Sequence, residues 1–195
     1  MRYTISSQQF DHLRRERSVA LAELFSKEET DLLHNELDKA LALKTGPGDK
    51  SLQEEFLAGR DLERENPPLK KSLHLSKLGQ IAAPLFQKKM LRLAFTQYML
   101  GYPSPATLEE ISSVTEVCGG LILSLTGEEA GSGLFIHTDF PLEFPIEAPS
   151  LLLAFSTEKA RYRQQKSDPH TNALKKLGYG FGDRLTVETH PLIIR

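Results

Sequence analysis

Gly131-Ser132-Gly133-Leu134-Phe135-Ile136-His137-Thr138-Asp139-Phe140-Pro141 carries the densest signal in the chain. An apolar run bounded by glycines and a proline predicts a strand over 133–140. Side chains alternate along a strand, so His137 and Asp139 share a face. An imidazole and a carboxylate so placed supply two ligands of a 2-His-1-carboxylate metal site. The same spacing also suits a strand-end histidine hydrogen-bonded to an aspartate.

Moving outward, residues 111–195 hold eight of the 13 glycines, and short apolar runs alternate with turns. Strands are predicted at 113–118, 121–125, 150–156, 159–163, 184–189 and 191–195. Asp168-Pro169 before Thr171–Leu177 and Gly178 reads as a short inserted helix. The N-terminal half is richer in Leu, Lys, Glu and Gln. Ser18 to Phe25 reads as a short strand running into a helix that Ser26-Lys27-Glu28-Glu29 caps. Ser51-Leu52-Gln53-Glu54 repeats the cap. Residues 69–99 read as two helices broken at Pro84, and Tyr102-Pro103-Ser104-Pro105 reads as a linker.

Lys plus Arg is 24 and Asp plus Glu is 26, a net charge of −2. That balance argues against a bulk electrostatic grip on nucleic acid. The one cysteine, Cys118, rules out an intrachain disulfide and a cysteine-based zinc cluster. No leader-like stretch opens the sequence and no run is long enough for a membrane span, so a cytoplasmic protein is expected.

Phe10 to Asp38 contains a short strand, then Leu24-Phe25-Ser26-Lys27-Glu28-Glu29, then a helix with Glu36-Leu37-Asp38. This opening, with His137 and Asp139 downstream, resembles the phytanoyl-CoA dioxygenase-like branch of the non-heme Fe(II)/2-oxoglutarate oxygenases. The resemblance implies an α+β fold, a double-stranded β-helix (jelly-roll, cupin-like) with flanking N-terminal helices. Residues 1–195 would form a single domain, 1–105 mainly helical and packed on 106–195. It implies Fe(II) and 2-oxoglutarate as cofactors, with iron on His137, Asp139 and a distal histidine. Gly182-Asp183 before Arg184 to His190 resembles the family's turn and distal strand, which favours His190 over His170 in Ser167-Asp168-Pro169-His170.

The family's 2-oxoglutarate arginine lies about ten residues past the distal histidine. Here Arg195 follows His190 by only a few residues, and their odd separation places them on opposite strand faces. Arg161, Arg163 and Arg195 are therefore the candidate 2-oxoglutarate anchors. Arg161 and Arg163 also suit a solvated strand edge. Two functions remain. One is an oxygenase acting on a small molecule. The other is a catalytically degenerate relative that binds a ligand or protein partner, or responds to metal.

Overall fold

The computed structural model describes residues 5–100, 106–142 and 148–194. Helix starts follow from polar caps. Ser6 and Gln9 close a capping box at α1 (Ser7–Glu16). The sequence reading passed over this helix. Only Leu13 on it is buried, which leaves little apolar periodicity to find. After β1 (Ser18–Leu21), the expected box forms at Ser26: its hydroxyl accepts from the Glu29 amide, and the Glu29 carboxylate takes the Ser26 amide. That opens α2 (Lys27–Thr45), which buries Leu33, Leu37, Ala40 and Leu41. Ser51 and Glu54 do the same for α3 (Leu52–Ala58). Asn66 caps α4 (Pro67–Ser72), with proline in its first turn. Helix α5 (Leu75–Leu85) ends one residue beyond Pro84, so the proline terminates a helix instead of separating two.

The second helix expected beyond Pro84 is a strand, β2 (Met90–Met99), and nine of its ten residues are buried. A strand covered on both faces loses its period-two alternation and reads like a buried helix. Phe95, Thr96 and Tyr98 are the strand-favouring residues that tip it. Next come β3 (Ala106–Thr107), β4 (Val117–Ser124), β5 (Gly133–Ile136), β6 (Pro141–Leu142), β7 (Ser150–Ser156) and β8 (Leu192–Ile194). Six strands form one antiparallel sheet in the order β1-β5-β4-β7-β2-β8, and β3 pairs with β6. The expected strand at 150–156 is present as read. Those at 159–163 and 184–189 reduce to bridges, Val114 to Tyr162 and Arg161 to Arg184. The inserted helix shortens to a 3-10 turn over Ala173–Leu177, closed by Gly178 at φ 87°.

Each sheet face covers a core. Leu121, Leu153 and Phe155 pack with Leu33, Leu37, Leu78 and Ile81 of the helices. Ile136, Leu152 and Ala154 pack on the opposite side with Leu108, Tyr162 and Leu185. The α+β class stands as a mixed helix and antiparallel-sheet architecture, with strands drawn from both halves of the chain. Among the described residues, no helix is long and apolar enough to cross a membrane. The expected linker at Tyr102–Pro105 lies outside the described residues.

Candidate functional site

Strand β5 ends at Ile136 and the chain turns there. The His137 amide donates to the Arg17 carbonyl at 2.8 Å. Arg17 closes α1 in the left-handed region, φ 64°, and its side chain forks onto Asp139. Its Nε lies 3.0 Å from Oδ1 and 3.2 Å from Oδ2, and Nη2 also donates to Oδ2. His137 Nδ1 sits 2.9 Å from Asp139 Oδ1. Arg17 holds the Asp139 carboxyl below the usual carboxylate range, with His137 adding to it. An ionised carboxylate only accepts, so Nδ1 is the donor of this bond. His137 and Asp139 do come together, as an ion-paired cluster with Arg17.

This cluster borders a groove of about 440 Å³ between α1, the end of α5 and β4. Phe10, Leu13, Leu85 and Phe86 make its apolar wall. The sequence Cys118-Gly119-Gly120 allows the close approach of Phe86 to the strand. A Cβ on Gly119 would stand 2.3 Å from Phe86 Cε1 and 2.5 Å from the Ile136 carbonyl oxygen. Cys118 lines the groove, but burial pushes its thiol up to about 11, which leaves it a poor nucleophile.

His190 lies elsewhere. From β5 to β8 the sheet takes four steps, through β4, β7 and β2, about 19 Å at the usual inter-strand spacing. His190 is fully buried. Arg64 Nη2 lies 3.1 Å from its Nε2, and Thr189 Oγ1 lies 2.9 Å from its Nδ1. A guanidinium is donor-only, so Nε2 accepts and Nδ1–H donates. Burial, assisted by Arg64, pushes the ring down to about 3, so it is neutral. Tyr179 meets it edge-on at 5.8 Å.

Among the described residues, no three His, Cys, Asp or Glu side chains are grouped to hold a metal ion. The candidate 2-oxoglutarate arginines are spread out. Arg161 donates to the Gly182 carbonyl at 2.7 Å and is exposed. Arg163 donates to the Ser112 and Glu109 carbonyls at 3.2 and 3.0 Å. The Glu109 amide in turn reaches the Thr138 carbonyl at 3.3 Å, so Arg163 stands one loop from the His137 turn. Arg195 lies outside the described residues.

One buried polar cluster was missed in the sequence. Arg60 donates to Gln97 Oε1 at 3.0 Å and lies 3.6 Å from Asp168, with both charged side chains nearly fully buried. Its guanidinium stacks 3.9 Å over Phe95. Asp168 also accepts from Ser113 Oγ at 2.7 Å and from the His170 amide at 2.9 Å. His170 is thus a neighbour of this cluster. Its Nε2 is buried without a hydrogen-bond partner, and burial with Arg60 nearby pushes the ring down to about 3. An isolated arginine in Gly59-Arg60-Asp61 gave no signal of this role. Only the cap-like Asp168-Pro169 hinted that the aspartate was structured.

No protein-family model matches the chain, and no curated protein matches it. Solved structures do. The non-heme alpha-ketoglutarate-dependent carbocyclase SnoK, from nogalamycin biosynthesis, matches with a TM-score of 0.75 at 14% identity, covering 97% of this chain and 97% of SnoK. CytC3, solved with Fe(II) and alpha-ketoglutarate, matches with a TM-score of 0.65 at 10% identity, covering 100% of this chain and 89% of CytC3. CT296 from Chlamydia trachomatis matches with a TM-score of 0.57 at 19% identity, over 80% of this chain and 98% of CT296. The chain therefore shares the fold of non-heme Fe/alpha-ketoglutarate enzymes, at identities that carry the fold alone.

Proposed function

We propose that this chain uses the non-heme Fe/2-oxoglutarate oxygenase fold as a small-molecule binding protein, the catalytically degenerate form of that fold. The observation that carries this reading is the occupied state of His190. Its Nε2 lone pair is taken by Arg64, and the strand that follows it, β8, is four steps along the sheet from β5, which leads into His137. Fe(II) would need that lone pair and a convergent third ligand. Asp139 is already neutralised by Arg17, which removes much of the anionic pull a dication needs. The residues present do not fit iron. Of the candidate 2-oxoglutarate anchors among the described residues, Arg161 and Arg163 are both tied to loop carbonyls.

One observation favours the oxygenase reading, with a specific branch such as the phytanoyl-CoA dioxygenase-like one. His137 and Asp139 stand side by side just past the end of a strand, where that reading puts two of its ligands. Anaerobic titration with Fe(II), or Mn(II) as its redox-quiet stand-in, separates the two. The binding reading expects no tight single site, with or without 2-oxoglutarate. A single site lost in both His137→Ala and His190→Ala would establish the oxygenase reading instead.

A further inference from the structure

We infer that the groove beside His137 is a binding site for an organic anion with an apolar, planar body. The inference rests on the binding reading above and names its ligand class. The groove's volume, about 440 Å³, falls in the range of small-molecule sites. Its lining is mixed: the rings of Phe10 and Phe86 stand among polar groups of Arg14, Arg17, Gln87 and His137. Among the described residues that line it, Arg14 and Arg17 carry formal charge and none is a carboxylate, while Asp139 stands just beyond on Arg17.

The two arginines are not equivalent. Arg17 is committed to Asp139. Arg14 stands on the last turn of α1 and makes no hydrogen bond or ion pair among the described residues. A site with an aromatic wall and one uncommitted guanidinium recognises a carboxylate or sulfonate on a flat apolar body. The cation supplies orientation and the two rings supply a flat contact. The Gly119 approach of Phe86 keeps this wall in place, because any side chain there would displace the ring. Cys118, with its thiol pushed up by burial, adds a soft neutral surface.

The test is isothermal titration at constant salt with 2-naphthoate, against its uncharged counterpart 2-naphthalenemethanol. The expected result is one naphthoate site, with the alcohol at least tenfold weaker. Arg14→Glu, on an exposed position, should weaken naphthoate at least tenfold and leave the alcohol nearly unchanged. Absence of naphthoate binding at millimolar concentration, equal affinity for the two probes, or indifference to Arg14→Glu would each overturn the site. The Mn(II) titration runs on the same samples. A tight Mn(II) site overturns the binding reading whatever naphthoate does. Missing naphthoate binding without a Mn(II) site overturns the groove alone.

Discussion

At Asp139 two partners compete for one carboxylate. Arg17 forks onto it, and His137 takes one of the same oxygens. The side chain is about half exposed, 52%, so the pair is screened and contributes about 0–1 kcal/mol. Arg17→Ala should therefore lower the urea midpoint only slightly. It should also create no Mn(II) site, because the distal histidine stays on Arg64; a site gained in Arg17→Ala would show that Arg17 alone blocks the metal. The buried titratable groups give a pH dependence with a definite sign. His170 and His190 both fall from 6.5 to about 3. Their contribution is complete above pH 6.5 and is lost as pH falls toward 3, because the unfolded chain takes the protons first. Glu63 rises from 4.5 to about 7, chiefly by burial. Its contribution is complete below pH 4.5 and is lost as pH rises through 7. Between pH 4.5 and 6.5 two histidines oppose one glutamate, so stability should fall on acidification by up to ~1.4 kcal/mol per pH unit. Glu63→Gln removes the opposing group and should steepen that fall in urea titrations across the range. The His-x-Asp pair was legible in the sequence because residues two apart stay close, although they stand in the turn after β5 and not on the strand expected over 133–140. The environment of His190 was not, since the residue that takes its nitrogen is Arg64, 126 residues earlier.

Among the elements, helix starts were the most legible feature. A capping box is a four-residue event, and Ser26 with Glu29 forms as its spacing implies. Ser26→Ala should cost about 1 kcal/mol, seen as a lower thermal midpoint. Strand β2 was misread for the opposite reason: its identity is set by β7 and β8 on either side, and burial on both faces erases the alternation that would have named it. The glycines of β4 were legible as glycines but not as a contact. Gly119→Ala drives a methyl against Phe86 and the Ile136 carbonyl. It should destabilise by about 1–3 kcal/mol and, because Phe86 must move, abolish naphthoate binding before it unfolds the chain. Denaturant titration and calorimetry on the same variant check both halves.

On the scale of the whole molecule, the layer opposite the helices has little regular structure and depends on its polar anchor. Arg60, Gln97, Ser113 and Asp168 tie the α3–β2 side to the segment after β7. Asp168→Ala removes a buried carboxylate beside a buried guanidinium and should cost about 3–5 kcal/mol, measured by equilibrium unfolding. Strand β2 has a further consequence, for synthesis. Both of its neighbours come later in the chain, β7 at Ser150–Ser156 and β8 at Leu192–Ile194. A ribosome adding about 5–20 residues per second leaves this buried strand without a sheet partner for several seconds, held only by its bridge to the Gly59–Asp61 segment. The nascent chain through Met99 is thus a natural client for chaperones, and protease should clip arrested chains there until β7 has emerged.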